Sequence, residues 1–129
     1  MAAGLSAVNL ANAWLNTLSG TTFTGVSTFV KLHTGDPGAN GTANASANTT
    51  RVALSWAAAS AGSKAITATL PSWATWAAGS ETLAYISVWD NISAGNFLFS
   101  AQLTVSRSVA NGDTVNLTSL SFALTPIAA

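Results

Sequence analysis

Two segments, Leu83-Ala-Tyr-Ile-Ser-Val-Trp89 and Phe97-Leu-Phe-Ser-Ala-Gln-Leu-Thr-Val105, decide the fold. In the first, Ala84, Ile86 and Val88 point one way, while Leu83, Tyr85 and Trp89 point the other. In the second, Phe97, Phe99, Ala101, Leu103 and Val105 alternate with Leu98, Ser100, Gln102 and Thr104. A period of two, carried by β-branched and aromatic residues, is the signature of β-strands. The intervening Asp90-Asn91 and Gly95-Asn96 are turn formers, so the pair reads as neighbouring antiparallel strands.

The same period recurs on both sides. Val26, Thr28, Val30 and Leu32 share a face before His33. Val52, Leu54 and Trp56 alternate with Arg51, Ala53 and Ser55. Ile66, Ala68 and Leu70 alternate with Thr67 and Thr69. Near the end, Val115 and Leu117 are odd-numbered, whereas Leu120, Phe122 and Leu124 are even. Alternation therefore breaks at Thr118–Ser119, where a bulge or tight turn is expected. Pro126 discourages further central pairing. The Asn111-Gly112-Asp113 run has hairpin chemistry.

Only the start of the chain has a 3.6-residue period. Ser6 suits an N-cap and Gly20 a C′ position, giving a helix over residues 7–19. Val8, Leu10, Ala11, Trp14, Leu15 and Leu18 form one arc, expected to cover the core. Asn9, Asn12 and Asn16 form the opposite, uncharged face. One domain is expected across residues 1–129, mainly β. It reads as an antiparallel β-sandwich or jelly-roll-like unit over 26–125 with one N-terminal α-helix.

Composition narrows the function. The chain has 129 residues, with 49% hydrophobic and only 6% charged residues and zero net charge. Soluble domains are typically about 25% charged. Four scattered cations, Lys31, Arg51, Lys64 and Arg107, make no basic face for nucleic acid. No apolar run approaches the roughly 18 residues of a membrane span. No Lys or Arg precedes the first apolar stretch, so a secretory signal is not expected. Ser, Thr and Asn wet the surface instead of charge, which leaves little electrostatic defence against association. Assembly with other copies or other proteins is the expectation.

Catalytic equipment is sparse. There is no Cys, one His and four acids: Asp36, Glu81, Asp90 and Asp113. A triad could be written only from a Ser, His33 and Asp36, but no Gly-x-Ser-x-Gly elbow is present. His33 reads instead as a hydrogen-bonded strand-end residue. Asp36 and Asp113 lie in turns, where Asp caps backbone groups. No Asp-x-Asp cluster offers a cation site, and no metal or cofactor is expected. Trp73 and Trp76 read as core or interface anchors, with a sugar platform as the alternative. The long Thr34–Thr50 loop opens with Gly35-Asp36-Pro37-Gly38, and loops of this length commonly make functional contacts.

The stretch Lys31-Leu-His-Thr-Gly-Asp-Pro-Gly-Ala-Asn-Gly-Thr-Ala-Asn44, with Arg51 opening a strand, is similar to small virion proteins of tailed phages infecting actinobacteria. Tyr85-Ile-Ser-Val-Trp-Asp90, Gly95-Asn-Phe-Leu-Phe-Ser-Ala-Gln-Leu103 and Ala110-Asn-Gly-Asp-Thr-Val115 resemble the same family in the same order. Such proteins are labelled tail fibre or minor tail proteins, and similar β proteins decorate phage heads. The resemblance implies a non-enzymatic virion protein, made in the host cytoplasm and placed on the particle surface. It transfers no catalytic residue. The chain lacks repeats and heptads, so it reads as a compact knob more than a shaft. A capsid-exterior decoration protein is therefore the leading expectation, and a tail or tail-fibre subunit with glycan binding the alternative. The expected partners are the major capsid protein or tail proteins, and further copies of the chain, with a trimer as the simplest guess. Asn9, Asn12, Asn16, His33, Asp36, Pro37, Trp73 and Trp76 are the expected interface residues.

Overall fold

The computed structural model describes residues 3–124. The two deciding segments form its centre. Strand β5 (Glu81–Trp89) pairs antiparallel with β6 (Phe97–Val109), with Ile86 opposite Ala101 and Val88 opposite Phe99. On its other edge β5 pairs with β1 (Thr28–His33), which pairs with β2 (Val52–Leu54). The main sheet thus has the order β2-β1-β5-β6. Two short pairs complete an antiparallel, mainly β architecture without a closed barrel. They are β3 (Ser63–Ala65) with β8 (Ser121–Ala123), and β4 (Ser72–Trp73) with β7 (Val115–Asn116).

Val30, Leu32, Ile86, Val88 and Phe99 meet Leu10, Trp73, Trp76, Val109 and Leu117 in one core. That core joins the main sheet to both small sheets and the helix. The other face of the main sheet carries Phe29, Lys31 and His33 beside Tyr85, Ser87 and Trp89. Pro37 and Gly41 of the 34–50 loop are buried as well.

Alternation breaks where the sequence breaks it. Beyond β7 the chain leaves β4 and joins β3, with the Leu117 N–H donating to the Pro71 carbonyl between them. Three sequence expectations need correction. The Asn111-Gly112 turn does not close a hairpin, because β6 and β7 pair with different strands. Instead Asp113 caps the turn, accepting from the Ala110 N–H. The strand expected over Ile66–Leu70 lies earlier, at β3; Ile66 lies just beyond it, bridged to Trp56 and donating its N–H to the Leu120 carbonyl. Finally, the face expected from Phe97 to Val105 holds only over Phe99, Ala101 and Leu103: a register shift sets Phe97 opposite Trp89, and Val105 leaves the core. Leu83 pairs with Arg107 and Tyr85 with Gln102, so Ala84 alone opposes Leu103, Thr104, Val105 and Ser106. This wide bulge turns Val105 into solvent. The expectation for Pro126, and the outer ends of the 26–125 and 1–129 ranges, lie outside the described residues.

The helix spans the expected residues with unexpected internal geometry. It begins with a π turn (Ala7–Ala11), continues as α1 (Asn12–Asn16) and closes as a 3-10 turn (Thr17–Ser19). Ser6 caps it, accepting from the Asn9 N–H, and Gly20 ends it at φ 81°. Its orientation differs from the amphipathic expectation. Leu10 is buried and Trp14 packs against the core, but Val8, Leu15 and Leu18 face outward. The Asn9 amide turns inward and donates to the Phe97 carbonyl at 2.8 Å. That bond, with Leu10, sets the rotation of the helix and leaves half of its apolar arc uncovered.

Candidate functional site: a pinned loop and an open helix face

Residues 34–50 have no regular strand, yet they are tied down at many points. The Thr34 N–H donates to the Asn44 carbonyl and the Ser46 N–H to the Leu32 carbonyl, so the loop returns to the strand it left. Asp36 caps the opening turn, accepting from the Gly38 N–H at 2.8 Å. Gly41, at φ 71°, lies where a Cβ would overlap the Phe97 ring. Only glycine permits both the backbone angle and the approach.

His33 is the central pin. It is fully buried, with Nδ1 2.8 Å from the Ala43 carbonyl and Nε2 2.7 Å from Ser87 Oγ. A carbonyl can only accept, so Nδ1 carries the proton and Nε2 accepts from the Ser87 hydroxyl. Ser87 Oγ in turn accepts from Trp89 Nε1 at 2.8 Å. Burial holds the His33 pKa below its ordinary value, and the nearby Lys31 cation pushes the same way. A Ser beside a His superficially resembles a nucleophile and its base. Both side chains are fully buried, and the third partner is a carbonyl in place of a carboxylate.

Each of the four acids caps a loop. Glu81 accepts from the Ser46 hydroxyl and from the Ala47 N–H. Asp90 accepts from the Asn96 backbone N–H and side-chain amide, closing the β5–β6 turn. Asp36 and Asp113 cap their own turns. Arg51 lies over the Trp89 ring, 4.0 Å from its centre, and donates to the Asn91 and Ala94 carbonyls. Among the described residues no three His, Cys, Asp or Glu gather into a metal-binding group.

The expected interface residues therefore divide. Asn12 and Asn16 are exposed on the helix, Asn9 is turned inward, and Asp36 is half-buried. His33 and Pro37 lie inside the subunit. Trp73 and Trp76 are buried in the core, and their indole N–H groups donate to the Thr50 and Gly79 carbonyls. The Trp76 backbone is also stitched to the 110–113 turn, donating to Asp113 and accepting from Gly112. Neither ring is presented to solvent: the pair fills the core, as one half of the leading reading expected, and the interface role and the sugar-platform alternative both lack an exposed ring.

Sequence reasoning missed Ser87, Glu81 and Ser46. Ser87 left one readable signal: it is the polar residue on a strand face otherwise made of Leu83, Tyr85 and Trp89. Glu81 and Ser46 lie 35 positions apart, and nothing local links them.

No curated protein matches the chain. Residues 5–125 match the family model of the podophage GP4 fiber I protein gp80. The match spans the helix, the main sheet, the pinned loop and both small sheets. The chain accordingly belongs to that family of phage fibre-type structural proteins of the virion.

Proposed function

We propose that the chain is a non-enzymatic subunit of the phage tail fibre apparatus, joined to its neighbours through apolar and amide contacts. The observation that carries this reading is the use made of the ionisable side chains. The four acids cap loops, the histidine is buried as a structural pin, and the helix presents an uncharged face. Such a molecule offers rigid surface and little acid–base chemistry. The fibre name of the family favours the tail over the head. The actinobacterial host rests on the sequence resemblance alone.

A second reading, capsid-exterior decoration, is favoured by one feature. The chain is a short β unit without repeats or heptads, suited to tiling a lattice. Its partner would then be the major capsid protein. Labelling the chain on intact particles and counting copies separates the two. Density confined to the tail, at tens of copies or fewer, supports the fibre reading. Density over the head lattice, at hundreds of copies, replaces it with decoration. Few ion pairs are available on either reading, so attachment should change little between low and high salt.

A further inference from the structure

Val8, Leu15 and Leu18 are 78%, 62% and 86% exposed. Their spacing of seven and three residues places them on one stripe of the helix. Beside that stripe lies an open cavity of about 220 Å³, walled mainly by apolar side chains that include Leu10, Trp14, Phe23, Trp56 and Phe122, with Lys64 as its one charged lining residue. Trp14 in its wall is one helical turn from Leu18. The hole is larger than the roughly 150 Å³ in which an apolar cavity binds a benzene-sized group.

We propose that this face is an interface between copies of the chain, in which the Val8–Leu15–Leu18 stripe of one copy seats a leucine in the hole beside Trp14 of another. Three observations select a second copy as the occupant. Knob and socket lie side by side on one surface, as a self-complementary contact requires. The helix adds no charge to the contact, since the first charged residue of the chain is Lys31, and the one cation at the hole, Lys64, is held by the Ala57 carbonyl at 2.7 Å. Three side chains this exposed leave on the order of 400 Å² of apolar surface, the size that marks an interaction site on a soluble protein. With the cavity rim added, the patch is about 500 Å², so two copies would bury about 1,000 Å² together, at the small end of protein–protein interfaces. Asn12, four residues from Val8 and three from Leu15, borders this contact, whereas Asn9 faces inward. The contact does not rest on the fibre reading, because either particle position brings copies together.

Sedimentation velocity on the full chain, from about 1 µM to 500 µM, tests this range of affinities. The wild-type chain is expected to form a discrete oligomer as concentration rises. Leu18→Asn and Leu15→Asn, each at an exposed position, should raise the dissociation constant about 100-fold while leaving the thermal melt of the subunit in place. Val105→Asn removes an equally exposed apolar side chain from the β6 bulge and should shift the constant less than about threefold. Three results overturn the proposal. One is a wild-type chain that stays monomeric throughout, including one whose stripe is protected only in the assembled particle, which assigns the face to another virion protein. Another is an oligomer indifferent to both leucine variants. The last is an effect of Val105→Asn as large as theirs.

Discussion

Replacing Ser87 by alanine tests the assignment of His33 as a structural pin. The hydroxyl bridges two buried groups, at 2.7 Å from His33 Nε2 and 2.8 Å from Trp89 Nε1. Alanine leaves both without a partner in a site that excludes water. A buried polar group stranded in this way costs about 1–3 kcal/mol, so the pair costs about 2–6 kcal/mol. Total stability for a domain of this size is about 5–15 kcal/mol. The loss should be measured by urea unfolding, followed by tryptophan fluorescence. With a slope of about 2 kcal/mol per molar urea, the midpoint should fall by about 1–3 M without a change in slope. Introducing Ser87→Ala into a His33→Leu background isolates the shared bond, because only the Trp89 N–H is then newly stranded. The cost should drop by roughly half. A loss below about 1 kcal/mol, or an undiminished cost in the His33→Leu background, would refute the proton arrangement.

Two further outcomes follow from the same geometry. His33 has a folded pKa depressed below the ordinary 6.5, so the unfolded chain binds more protons than the folded one below that pH. Stability is fully present above pH 6.5 and declines as pH falls, by up to about 1.4 kcal/mol per unit, until the folded pKa is reached. Urea midpoints at pH 7.5, 6.5 and 5.5 should show this decline in the wild type, and an equal slope in His33→Leu would assign it elsewhere. Gly41→Ala forces a side chain into a left-handed backbone and into the Phe97 ring, whereas Gly112→Ala, at φ 95°, meets open space. The first should lower the melting temperature by about 10 °C and the second by only a few degrees, since strain and overpacking add at Gly41 alone. Similar melts for the two variants would remove Gly41 from the loop's packing.

Much of the fold was legible because its signals are local. The period of two in β5 and β6, the Ser6 and Gly20 caps, and the alternation break at Thr118–Ser119 each arise within a few residues. Each corresponds to an observed strand, cap or change of sheet. What failed were inferences that needed a partner. The Asn111-Gly112 run has hairpin chemistry, but β7 finds β4, because Trp76 and Pro71 hold that segment in place. The apolar arc of the helix was read correctly as an arc and wrongly as a buried one. A helical wheel cannot show that Asn9 will bond to Phe97, some 88 positions away.

The candidate site divides along the same line. By itself the amino-acid order determined which chemical groups exist: one imidazole, four carboxylates, no thiol and a first charge only at Lys31. Those counts limit catalysis whatever the fold. The tertiary structure alone decided how they are used. It buried His33 against Ser87, placed Glu81 under Ser46, drew Trp73 and Trp76 into the core and turned Val8, Leu15 and Leu18 outward. Exposure and pairing are properties of distant segments brought together, and no period in a single strand or helix encodes them.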